Sequence, residues 1–176
     1  MSNLTDQEVG AFVGRNVDYY LKKWRSVLEG PGNAGNAGNA TGFNWAALLL
    51  SGLWLPYRKM YRTAAIFYGV VLLETLLEEI VYVGFLGKPE APGSLGRFFG
   101  LIAGMVCGGF ANGWYLSHTQ EAITELRSQG LPEEAYLQAL AKRGGTSTAA
   151  SLGFIIIFLF AMLATLSLSA QLLRGS

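Results

Sequence analysis

The residues best able to do chemistry in this chain are three glutamates set in an apolar run. Glu74, Glu78 and Glu79 lie within Thr63 to Leu86, with Glu74 near its centre. Glu74 and Glu78 are four apart and share one helix face; Glu79 lies about 100° away. An ionised carboxylate at mid-bilayer costs ~2.5–3.5 kcal/mol on insertion scales. No lysine or arginine lies at that depth to pair with it. Such carboxyls must face a bundle interior or water. There they can hold a proton or a cation, or serve as hydrogen-bond posts between helices. Glu78 and Glu79 also fit the outer end of a span that stops early. Asn112 is the nearest polar side chain on another apolar run, so the candidate ion or proton site is Glu74, Glu78, Glu79 and Asn112. His118 is the only histidine and has no second ligand beside it, so it reads as an interfacial histidine rather than a metal ligand. Cys107 is the only cysteine; it sits in an apolar run as a small filler, and no disulfide can form within the chain. No Ser-His-Asp set, phosphate-binding glycine loop or metal-ligand cluster is present. The expectation is no catalytic residue, no cofactor and no metal.

The elements that must position these residues follow from composition. The chain has 176 residues, of which 51% are hydrophobic and only 14% charged, against about 25% charged in a soluble domain. Mean hydropathy is +0.32. Long charge-free runs at 43–57, 63–73, 98–117 and 144–173 predict an integral membrane protein. The net charge of +1 comes with no aromatic-interleaved basic face, which argues against a nucleic-acid partner. No cleavable signal peptide is expected, because the first 40 residues lack an apolar core segment.

The topology turns on residues 43–57. They make about 22 Å of helix at ~1.5 Å per residue, short of a ~30 Å hydrocarbon core. Pro56 interrupts them. Trp45, Trp54, Tyr57 and Tyr61 are interface-seeking, and Arg58, Lys59 and Arg62 follow, so these seven residues form the expected membrane-interface anchor. If the segment dips in and returns, spans remain at 63–86, 96–117 and 147–170. Ten of the 13 basic residues then share one side, leaving Lys88, Arg97 and Arg174 on the other. If it crosses, the split is seven against six. The positive-inside rule favours the re-entrant or interfacial helix and a cytoplasmic N-terminus; a short first span is the alternative.

Around the spans lie amphipathic pieces. Thr5 to Glu8 reads as a capping box. Val9, Phe12, Val13, Val17, Tyr20, Leu21, Trp24 and Leu28 then predict one amphipathic helix of about 24 residues within 1–30. It lies on the membrane surface or packs on the cytoplasmic side of the spans, the second being favoured. Residues 31–42, with a repeated Asn-Ala-Gly triplet, read as a flexible linker. Gly87 to Gly93 is an expected outside turn. Residues 118–146 predict a cytoplasmic helical hairpin, its second helix opened by Pro132 and stopped by Gly144. In the 96–117 span, Gly96, Gly100, Gly104 and Gly108 recur every four residues, a helix-packing ridge for a partner in the same chain or a second copy.

Phe12-Val13-Gly14-x-Asn16 with Tyr19-Tyr20, then Phe43-Asn44-Trp45-Ala46-Ala47 with Trp54 and Tyr57-Arg58-Lys59-Met60-Tyr61, resembles a bacterial membrane-protein family catalogued only as a domain of unknown function. Gly144-Gly145-Thr146-Ser147 is similar to the same family. The resemblance implies a small multi-pass protein of the bacterial inner membrane and brings no activity. The predicted fold is all-α: three transmembrane helices, a short re-entrant or interfacial helix, the amphipathic N-terminal helix and the hairpin, with residues 43–176 as the membrane domain. The leading expectation is a non-enzymatic accessory or scaffold subunit in the lipid bilayer. It would bind a membrane or cytoplasmic protein through its cytoplasmic helices, or self-associate as a homo-oligomer through the glycine ridge. The alternative is a minimal channel or proton-coupled transporter using the glutamates.

Overall fold

The computed structural model describes residues 4–28, 42–88 and 91–174, and every regular element among them is helical. The expected linker at 31–42 lies outside the described residues except for Gly42, as do Pro89 and Glu90 of the expected outside turn.

The N-terminal arm is two helices, not the single one predicted: α1 (Asp6–Val13) and α2 (Val17–Leu28). The periodicity continues across the break because both pieces bury the same side. Val9, Phe12 and Val13 in α1 and Tyr20 and Trp24 in α2 are enclosed. Gly14 at φ +67° and Asn16 at φ +62° turn the chain between them. The corner is held from outside, where Gly145 N donates to Phe12 O at 2.7 Å.

Residues 43–57 are bent, but the break falls at Ser51 and not at Pro56, which lies inside the second helical piece. Asn44 caps α3 (Trp45–Leu50), Ser51–Leu53 forms a 3₁₀ turn with Ser51 at φ +47°, and α4 (Trp54–Tyr57) follows. Helix α5 (Tyr61–Glu79) passes into a wider π turn over Ile80–Phe85, directly after the glutamates.

Helix α6 (Gly93–Ser128) has 36 residues, about 54 Å at ~1.5 Å each, well beyond a ~30 Å hydrocarbon core. The first helix of the predicted hairpin is thus a continuation of α6 and not a separate element. Nothing between Trp114 and Gln129 breaks it, since that stretch has no glycine or proline. Ala122, Ile123 and Leu126 give the extension its own buried stripe. Helices α7 (Glu133–Arg143) and α8 (Thr148–Arg174) complete the chain.

Two stretches are long and apolar enough to cross a membrane. One is Gly93–Ser128, which is α6; the other is Glu133–Leu168, whose apolar part lies in α8. Helix α3 packs along α6, α1 along α7, and α4 and α5 along α8. The enclosed core gathers at the arm end, around Phe12, Trp24, Leu55, Tyr115, Ile123 and Leu140. At the other end α5, α6 and α8 turn large apolar side chains outward.

Candidate functional site

One highly connected polar residue is Asn112, which is fully buried on α6. Asn44 Nδ2 donates to Asn112 Oδ1 at 2.9 Å. Asn112 Nδ2 donates to Tyr19 Oη at 3.2 Å and to Gly42 O at 3.0 Å. Its backbone carbonyl accepts from Trp24 Nε1 at 3.2 Å. Asn44 Oδ1 accepts from Ala47 N at 2.9 Å, capping α3, while Asn44 N donates to Gly108 O at 2.7 Å. One α6 position thus joins α2, the 42–44 segment and α3. Satisfying every group matters here, since each buried polar atom left unpaired costs about 1–3 kcal/mol.

The glycine ridge is what lets these groups meet. A Cβ on Gly104 would lie 3.2 Å from Leu48 O, and one on Gly108 2.5 Å from Phe43 Cζ. The close partner of these two glycines is therefore the 43–48 segment, not another long helix. A Cβ on Gly100 would meet open space, and one on Gly96 would be 4.0 Å from Glu78 Oε2.

A second polar centre clamps the arm. Arg127 Nε and Nη2 donate to Glu8 Oε1 and Oε2 at 2.7 and 2.6 Å, and Tyr136 Oη donates to Oε1 at 2.7 Å. Thr5 closes the capping box through its backbone N at 2.9 Å and its hydroxyl at 2.8 Å. Burial alone would raise the Glu8 carboxyl. The hydrogen bonds from Arg127, Tyr136 and Thr5 outweigh it and bring the pKa down to about 2. The fork geometry of arginine suits such a bidentate pair.

Arg58 forms a third centre. It is 3% exposed. Its guanidinium lies 4.8 Å from the Tyr20 ring centroid and 5.1 Å from that of Tyr115. It donates to Val13 O at 3.3 Å and Arg15 O at 3.4 Å, at the end of α1. Cation–π contact and helix-end carbonyls thus hold a positive charge in the core.

Of the predicted interface residues, Trp54, at 4% exposed, and Arg58 are inside the protein. Tyr61 and Arg62 are exposed, and so is Trp45 at 69%. Tyr57 and Lys59 are half-buried, with Lys59 Nζ donating to Lys142 O at 2.9 Å. Glu74 and Glu78 interact directly, and one oxygen of each is enclosed without a hydrogen-bond partner. Glu79 is half-buried. Asn112 bonds instead with the groups at Asn44, Tyr19 and Gly42. Glu8, Arg127 and Tyr136 were not singled out from sequence as a centre. The capping box placed Glu8 at a helix start, but nothing local linked it to an arginine 119 residues away.

Ser117, Gln120, Glu121, Thr124 and Glu125 share one face of the α6 extension and form an open polar surface there, called the Ser117–Glu125 groove below. Among the described residues no group of three histidine, cysteine or acidic side chains is placed to hold a metal ion. Residues 14–120, more than half of the chain, match the family described as protein of unknown function (DUF2628). No curated protein and no solved structure matches.

Proposed function

The chain belongs to the DUF2628 family, whose function is unknown, and from that premise we propose that it is a membrane-embedded scaffold of the bacterial inner membrane. Helices α5, α6 and α8 are its three spans, residues 43–57 form a re-entrant anchor, and the arm, the α6 extension and α7 form a cytoplasmic platform. Support for the third span comes from α5. Although it carries glutamates, it turns Ile66, Val70, Leu73, Leu77 and Val81 outward as one helical stripe, as exposed as the apolar faces of α6 and α8. A surface of this kind is covered by lipid or by protein. Cysteine accessibility tests the topology. A cysteine at Arg62, which is exposed, is labelled only from the cytoplasm in a three-span protein. Periplasmic labelling sinks the three-span arrangement.

The observation that carries the scaffold reading is the Glu8 clamp. It fixes α1 against α6 and α7 through charge-assisted bonds, making a stiff polar platform beside the Ser117–Glu125 groove. Glu121 and Glu125 give that groove an acidic rim, suited to a basic segment of a protein partner. Glu125 is also engaged by Arg143 from α7. The free half of the ridge, at Gly96 and Gly100, offers a seat for a further helix from a partner or a second copy. A photo-crosslinker at Thr124 in native membranes is expected to yield a discrete adduct. Absence of any adduct from Thr124 and from Gly100 removes the scaffold reading.

A second reading rests on the enclosed, unpartnered oxygens of Glu74 and Glu78. They suit a proton or cation path along the outer half of the bundle. Proteoliposomes carrying a proton or potassium gradient test it. Flux that Glu74→Gln abolishes supports this reading, and absence of flux in the natural sequence rejects it.

A further inference from the structure

We propose that Lys23, Tyr19, Phe43 and Trp45 form a seat for the headgroup of one anionic phospholipid at the rim of the membrane. The proposal rests on the membrane reading above and adds a lipid class and a site to it. Lys23 is half-buried, and its ammonium lies beside Gly42 and the Tyr19 ring. Nζ would lie 2.6 Å from a Cβ on Gly42, and it sits 5.9 Å from the centroid of the Tyr19 ring. Among the described residues no carboxylate pairs with it. Helix α2 carries Lys22, Lys23 and Arg25 against one carboxylate, Asp18.

The neighbours of that charge are tied down. Tyr19 Oη and Gly42 O both accept from Asn112 Nδ2, and Phe43 rests over Gly108. On the outer side the aromatic groups are open. Tyr19 and Phe43 are each 40% exposed and Trp45 69%. The Phe43 and Trp45 rings meet edge to face at 4.9 Å. Leu49, one turn below Trp45, continues the apolar surface and is also exposed. An ammonium beside Tyr19 and Gly42, and the exposed Phe43 and Trp45 next in sequence with Leu49 one turn on, supply a charge and an apolar surface for a phospholipid's phosphate and its glycerol and acyl parts. A lipid with net negative charge leaves Lys23 neutralised; a zwitterionic one brings its own cation to the same place.

Fluorescence quenching tests this with the full chain in phosphatidylcholine vesicles. A minor fraction of lipid is replaced by acyl-brominated phosphatidylglycerol or, separately, by equally brominated phosphatidylcholine. The expected result is stronger quenching by the brominated phosphatidylglycerol, reflecting about fivefold enrichment at the seat. Read from tryptophan emission, that preference falls to parity in Lys23→Gln, is lost in Trp45→Phe, which keeps Trp24, Trp54 and Trp114 as fluorophores, and survives Lys142→Gln. Lys23→Gln must retain its helical circular dichroism and its quenching by brominated phosphatidylcholine, which separates a lost charge from a lost fold. Equal quenching by the two lipids, or a preference that Lys23→Gln leaves intact, overturns the seat while the membrane reading stands. Absence of quenching by either lipid overturns the membrane reading and the seat with it.

Discussion

At the arm end of the molecule Trp24, Tyr115, Ile123 and Leu140 are fully enclosed, and three polar centres stitch the elements together around them. At the opposite end Leu101, Phe160 and Leu163 look outward. Glu74 and Glu78 there each have an oxygen enclosed without a hydrogen-bond partner. The first end withdraws its apolar side chains and ties its elements with hydrogen bonds, although Arg58 Nε, Tyr115 Oη and His118 Nε2 are enclosed there without a hydrogen-bond partner. The second turns large apolar side chains outward, as the proposed membrane placement requires. Its helices gain little from hiding leucine from leucine, since a lipid tail is as apolar as a side chain. Specificity is therefore concentrated at the arm end, where a wrong pairing strands a charge or an amide.

Substitutions can break this contrast, beginning with the largest effect. Leu140→Ala empties a fully enclosed site and is expected to destabilise the protein by about 2–5 kcal/mol in chemical unfolding in micelles. Asn112→Leu removes the groups that hold Asn44, Tyr19 and Gly42. It is expected to cost about 2–3 kcal/mol and to loosen α2, seen as new proteolytic cleavage in residues 4–28. Glu8→Gln keeps the shape but loses the charge between Arg127 and Tyr136, for about 2 kcal/mol in the same assay. In the outer bundle, Leu163→Ala is expected to change stability by less than about 0.5 kcal/mol in a bilayer. A loss there equal to that of Leu140→Ala would place Leu163 in a protein interface and erase the contrast.

Acid provides a further test of the clamp. The Glu8 pKa is about 2 in the folded chain against an ordinary value of 4.5. Between those values the unfolded chain binds the extra proton, so stability declines as pH falls through that window. Above about pH 5 the contribution is complete. Unfolding midpoints of the natural sequence and Glu8→Gln should converge as pH falls from 5 toward 2. A gap that stays constant with pH would detach Glu8 from the acid response.

Much of the helical outline was legible in the sequence. The capping box at Thr5 and Glu8 and the stop at Gly144 are local signals, written in a few adjacent residues. The break at Gly14 was passed over because amphipathic spacing continues across it, and only the fit of Gly145 against Phe12 fixes the corner. The continuity of α6 past Ser117 was missed because polarity rises there, although nothing stops the helix. Trp54 and Arg58 looked like interface residues by type. Their enclosure depends on Tyr20 and Tyr115, which come from distant parts of the chain.

The sequence by itself determined the helical class and the apolar runs, because each depends on short-range sterics and on transfer of side chains from water. Tertiary structure alone decided which residues meet. It assigned Gly104 and Gly108 to Phe43 and Leu48, Asn112 to Asn44, and Glu8 to Arg127. A glycine ridge accepts any close helix and an asparagine any amide. Which partner each takes is settled by how distant elements pack against one another, and that condition is not local to any stretch of sequence.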